Sequence, residues 1–197
     1  MQPTERLFDK DPYMTEFSAT VLCWRKGDGA FFAALDRTAF FPEGGGQFCD
    51  LGALYNADVL DVQEDESGVI WHKINKPVET GIKVTGRIDW NRRFDFMQQH
   101  SGEHIFSGLA HTHFGATNVG FHLGLESTTI DLDVPLSEEN ISFLEKEANE
   151  AVYKNLPIEI SYPEKDELAL LPYRSKKELS GRVRIVTVPG YDICACC

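Results

Sequence analysis

Between residues 15 and 88 the apolar side chains recur in short alternating runs broken by turn-forming residues. EFSATVLCW (16–24) and GAFFAALD (29–36) are separated by the turn RKGDG. ADVLDVQEDESGVIWHKI (57–74) repeats the pattern about a turn at Glu66, Ser67 and Gly68, and IKVTGRID (82–89) closes the series. Period-2 alternation marks strands with one buried face, and several short strands at this spacing predict a small barrel or sandwich. Between them lies FFPEGGGQFCDLGAL (40–54), with three consecutive glycines in an apolar setting.

The period changes after Asp89, a residue suited to capping a helix N-terminus. Phe94, Met97, Ile105, Phe106 and Leu109 then supply the apolar positions of a helix running to about His111. GFHLGLESTTIDLDVP (120–135) returns to strand alternation. SEENISFLEKEANEAVYKNL (137–156) opens with Ser-x-x-Asn and places Ile141, Phe143, Leu144, Ala148, Ala151 and Val152 at helical spacing. PIEISYP and RVRIVTVPGY read as strands, followed directly by the tail CACC. The expected fold class is therefore α+β: a β-barrel-like domain over residues 1–89, then an α+β domain over residues 90–197.

Composition alters this picture little. The chain has 197 residues, 42% of them hydrophobic and 25% charged, as is ordinary for a globular protein. No apolar run approaches the roughly 18 residues a membrane helix needs, and the N-terminus lacks an apolar signal core. No membrane partner and a cytoplasmic location are the expectation. The net charge of −12 supplies no overall basic footprint for nucleic acid. Five cysteines, three of them in the last four positions, make a poor disulfide framework and a good thiol or metal cluster.

The candidate chemistry centres on His100-Ser101-Gly102-Glu103-His104. Residues four apart share a helical face, which is how a helix presents two imidazoles to a zinc ion. The alternative is a pair of solvated histidines. Cysteine thiolates in the tail favour the metal, since sulfur and imidazole together suit zinc. Gly102 lowers helix stability by about 1 kcal/mol, tolerable where something must approach closely. His111 and His113 do not share a face and read as surface or capping residues, and His72 reads as structural. The triple glycine lacks the Lys-Ser/Thr of a phosphate loop, so a tight hairpin with positive φ is its default reading.

Three motifs in order resemble the editing domain of alanyl-tRNA synthetase and its free-standing AlaX relatives. FFPEGGGQFCDLG is similar to the family's glycine-rich segment ending in Gln, DWNRRFDFMQQHSGEHIFSG to its Asp-x-x-Arg-Arg…His-x-x-x-His helix, and GYDICACC to the approach to its Cys-x-x-x-His element. The resemblance implies a barrel-like N-terminal domain and an editing domain with an antiparallel sheet packed on helices. It also implies zinc-dependent hydrolysis of the ester joining serine or glycine to alanine tRNA. His100, His104 and Cys196 would be metal ligands, with Cys197 as a substitute. Where the family continues with Gly-Thr-His this sequence stops, so a fragment lacking the fourth ligand is expected. Glu103 is a candidate to position water, and His122 and Gln47 are candidates to line the pocket.

Two rivals remain at this point. His-x-x-Glu-His also fits an inverted zinc-peptidase signature, whose further acidic ligand would be Glu145, Glu147 or Glu150. A zinc-stabilised RNA-binding module without catalysis is the other. Binding of tRNA by so acidic a chain requires local cations. The densest are Arg92 and Arg93, and the run Arg174, Lys176, Lys177, Arg182 and Arg184. Oligomeric state and the choice between serine and glycine are not legible.

Overall fold

The computed structural model describes residues 1–27, 29–124, 127–175 and 183–195. Cys196, Cys197, Lys176, Lys177 and Arg182 lie outside the described residues. The chain divides into two compact units, Met1–Phe96 and Met97–Cys197.

The first unit contains β1 (Glu5–Arg6), β2 (Glu16–Gly27), β3 (Ala30–Leu35), β4 (Arg37–Thr38), β5 (Gly52–Leu54), β6 (Ala57–Glu64), β7 (Ile70–Ile74) and β8 (Lys83–Ile88). Six of these strands close an antiparallel barrel in the order β2-β3-β7-β6-β5-β8, which decides between the barrel and sandwich alternatives. Closure depends on β2. Its first half pairs with β8 and its second with β3, and a register shift between Val21 and Cys23 bends it from one neighbour to the other. The inward positions Val21, Leu35, Leu54, Val62, Ile70 and Ile74 fill the interior. Phe17 and His72 meet Phe40 edge-on there. His72 is structural, as expected. Its Nδ1 lies 3.1 Å from the Ala33 carbonyl and its Nε2 2.8 Å from Thr38 Oγ1. Burial pushes its pKa down to about 4.

The triple glycine forms the expected hairpin. Gly44 and Gln47 exchange both backbone hydrogen bonds around Gly45 and Gly46, whose φ values are 62° and 83°. Two successive positive φ angles twist a two-residue turn to match its strands. Gln47 is buried in this unit.

Helix α1 (Trp90–Phe114) begins in the first unit and continues through the second. Asp89 caps it, Oδ1 accepting from the Arg92 amide at 3.2 Å. Arg93, expected at the surface for a polyanion, is instead buried inside the first unit. Its Nε lies 2.9 Å and 3.0 Å from the two Asp50 carboxylate oxygens, and it donates to the carbonyls of Pro12 and Ala39 at 2.8 Å and 2.6 Å. Arg92 lies over the Phe96 ring at 4.6 Å and donates from Nε to the Cys49 carbonyl at 3.1 Å.

The second unit adds β9 (Asn118–His122), β10 (Thr129–Leu132), α2 (Glu138–Tyr153), β11 (Glu159–Ser161), α3 (Lys165–Leu168), β12 (Ile185–Val188) and β13 (Asp192–Ala195). β9 and β10 form an antiparallel pair, and β11-β12-β13 an antiparallel sheet. Ile105, Leu109 and Ala110 of α1 pack with Leu144 and Ala151 of α2 and Val188 of β12, which gives the sheet-on-helix core that the resemblance implies. Ser137 caps α2 by accepting from the Asn140 amide, the role its Ser-x-x-Asn start predicts. Among the described residues no helix is long and apolar enough to cross a membrane.

Candidate metal centre

The site lies on one face of α1 within the second unit. His100 and His104, one turn apart, stack with ring centroids 5.3 Å apart and an interplanar angle of 14°. Phe121 of β9 is buried with its centroid 5.3 Å from His100. Glu103 lies on the adjoining position, and the ligand atoms of His100, Glu103 and His104 fall within 4.8 Å of one another. Glu103 is buried. Its Oε1 accepts from Ser107 Oγ at 2.7 Å and from the Asn118 amide, so α1 and β9 fix the carboxylate between them. Asn118 Nδ2 also donates to Ser107 Oγ at 3.0 Å. Its Oδ1 is buried with no hydrogen-bond partner among the described residues.

Behind His104 stands a residue that sequence reading missed. Asp192, the first residue of β13, places Oδ2 3.0 Å from His104 Nδ1. Arg174 holds the same carboxylate from the other side, Nε to Oδ1 and Nη2 to Oδ2, both at 2.8 Å. Burial pushes the Asp192 carboxyl up, but the hydrogen bonds from His104 and Arg174 outweigh it and leave the pKa below the usual carboxylate value. Burial likewise works against charged Arg174, and its bonds to Asp192 reverse the sign and raise its pKa. Arg174, expected as a cation offered to tRNA, is thus committed inside the unit, with a side chain only 15% exposed. The sole signal for Asp192 was its place in GYDICACC, two residues before one cysteine and four before the next.

This approach of helix and strand depends on Gly108, one turn beyond His104. A β-carbon there would stand 2.3 Å from the Tyr191 carbonyl oxygen and 2.7 Å from Asp192 Cβ. Any larger residue would push the strand away.

Cys194 is buried on β13, and its sulfur lies within 4.8 Å of ligand atoms of His104 and Asp192. Because Arg174 already donates to both Asp192 oxygens, a second cation on that carboxylate would be repelled. His104, Asp192 and Cys194 therefore read as a support, and His100, Glu103 and His104 as the face toward an ion. The donor types on that face fit zinc, and β13 runs directly into Cys196 and Cys197. Among the described residues, the groups that could gather round an ion include nothing from α2. Glu145, Glu147 and Glu150, the acids a peptidase would need, are not there.

His122 does not face this site. It follows buried Phe121, and strand alternation turns it outward, where Nε2 lies 3.5 Å from Asp131 Oδ2 with its side chain 71% exposed. His111 and His113 are exposed as expected, and His113 packs edge-on against Phe143 of α2.

No protein-family model matches the chain. It is 36% identical to the alanyl-tRNA editing protein AlaX-M of Saccharolobus solfataricus, over 96% of this chain and 84% of that one. It is 31% identical to the alanyl-tRNA editing protein Aarsd1 of Mus musculus, where it spans half of the relative's length. It is 34% identical to the alanine–tRNA ligase of Ignicoccus hospitalis, over 98% of this chain and 22% of the ligase. Likeness at this level over nearly the whole chain, on top of the ordered motifs, means that the chain belongs to the alanyl-tRNA editing protein family, whose members are deacylases acting on aminoacyl-tRNA esters.

Proposed function

We propose that this chain hydrolyses, in trans and with zinc, the ester bond that joins a wrong amino acid, serine or glycine, to alanine tRNA. The observation that carries this reading is the cluster of His100, Glu103 and His104 on one face of α1, beside a strand that leads into paired cysteines. His100, His104 and Cys196 hold the ion in this reading, with Cys197 as a substitute ligand. Zinc bound there would polarise the ester carbonyl or acidify a water. Glu103, fixed by Ser107 and Asn118, orients the attacking water.

Arg93 and Arg174 are engaged internally, so the tRNA contacts fall to Arg92 and to Lys176, Lys177, Arg182 and Arg184. Each phosphate neutralised steepens the salt dependence by roughly 0.9 in log–log slope. The Lys176→Glu/Lys177→Glu variant should therefore weaken tRNA binding and flatten that slope by roughly 2, while sparing hydrolysis of a small seryl ester. Unchanged affinity and slope would remove these lysines from the interface.

Activity is tested with alanine tRNA charged with serine, glycine or alanine. Serine or glycine release should exceed alanine release, and His100→Ala should abolish it. Alanine lost as fast as serine would reject the editing role, and peptide cleavage without deacylation would restore the peptidase rival.

A further inference from the structure

Two properties of the carboxylate behind His104 narrow its role. An ionised carboxylate only accepts, so the 3.0 Å contact from His104 Nδ1 to Asp192 Oδ2 requires a proton on Nδ1. In a neutral imidazole that places the lone pair on Nε2. Arg174 fixes the carboxylate in turn through its two 2.8 Å bonds, and the side chains of His104 and Asp192 are 7% and 1% exposed. Water has little access with which to exchange these partners.

We infer that Asp192, braced by Arg174, is a positioning residue that holds His104 in the Nδ1–H tautomer and so selects Nε2 as the atom His104 offers to a metal. The consequence for zinc rests on the proposed function. The tautomer does not, because it is a property of the metal-free protein.

The alternative is a pair that serves packing alone, and the two roles separate in one variant. A buried ion pair exchanged as a unit for apolar residues of similar size is often neutral or stabilising. Asp192→Leu/Arg174→Met should therefore fold while removing the carboxylate that accepts from His104 Nδ1. Arg174→Lys keeps both the carboxylate and a cation, and should keep the tautomer.

The experiment reads the imidazole nitrogen shifts of the metal-free protein by NMR at about pH 8.5, and zinc affinity by chelator competition. Wild type and Arg174→Lys should show His104 protonated at Nδ1. The double variant should lose that preference and bind zinc roughly 10–100-fold more weakly, the usual effect of removing a metal ligand's hydrogen-bond partner. A wild-type His104 protonated at Nε2 would overturn the inference, and that reading needs no variant to fold. So would a folded double variant that keeps the Nδ1–H tautomer and wild-type zinc affinity. A wild type that binds no zinc yet shows the Nδ1–H tautomer, lost in the double variant, would reject the zinc reading and leave the tautomer assignment in place.

Discussion

Gly102 and Gly108 lie six residues apart on α1, and replacing each with alanine gives a matched pair of perturbations. Either change improves intrinsic helix propensity by about 1 kcal/mol. Around Gly102 a β-carbon meets nothing within 4 Å among the described residues, so Gly102→Ala should raise stability by about that amount. At Gly108 the new methyl would sit 2.3 Å from the Tyr191 carbonyl oxygen. Carbon–oxygen contacts begin at about 3.3 Å, so the start of β13 must retreat by about 1 Å. That takes the 3.0 Å bond between His104 and Asp192 to about 4 Å, beyond hydrogen-bonding range. Overpacking typically costs about 1–3 kcal/mol, and a hydrogen bond to a charged group contributes about 1.5–3 kcal/mol. Part of each is recovered as the strand relaxes, so a net loss of about 2 kcal/mol is expected, a gap of about 3 kcal/mol between the two variants. Urea unfolding at equal m-value measures the gap. A Gly108→Ala protein as stable as Gly102→Ala would refute the close approach of β13 and, with it, the support proposed for His104.

Arg93→Met leaves Asp50 charged and unpaired in the first unit, and should cost about 3–5 kcal/mol in denaturant unfolding; a loss under 1 kcal/mol would mean the pair is open to water. His72 makes stability fall in mild acid. Its folded pKa is about 4 against an ordinary 6.5, so below pH 6.5 the unfolded chain takes up a proton that the folded chain refuses. About 3 kcal/mol should be lost between pH 6.5 and 4, and His72→Gln should flatten that limb in a series of urea titrations at different pH.

The elements were legible because each is written in a local period. Strand alternation located β2, β3, β6, β7 and β8, and the glycine-rich turn was readable because positive φ at two successive positions needs glycine. Partners distant in sequence were not legible. Arg93 reads as a surface cation until Asp50, 43 residues earlier, is seen to meet it, and Arg174 until Asp192, 18 residues later, does so. His104 gives no sign that its partner lies 88 residues away. His122 entered as a pocket candidate through the resemblance alone; alternation fixes that Phe121 and His122 face opposite ways, and only the packing of Phe121 against His100 shows which of them turns toward α1. The glycines exchanged roles for a similar reason. Gly102, between the histidines, suggested a close approach, whereas the strand arrives at Gly108, and only tertiary packing determines which helical turn a strand crosses.

The two buried arginine–aspartate pairs use one chemistry for two purposes, and the third group at each carboxylate tells them apart. At Asp50 the third donor is the Phe41 amide, 2.6 Å from Oδ2, while Arg93 also donates to Pro12 and Ala39. Every partner there is backbone, so the pair fixes where chain segments of the first unit meet. At Asp192 the third donor is an imidazole. Apolar residues of similar size could fill that volume at little energetic loss, because exchanging a buried pair as a unit is often neutral or stabilising. What apolar residues cannot do is decide which nitrogen of His104 carries the proton. The pair at Asp192 therefore acts on the chemistry of the site, and the pair at Asp50 on the fold. Each cancels its own charge, so neither arginine relieves the net charge of −12 that any tRNA phosphate must meet at the surface.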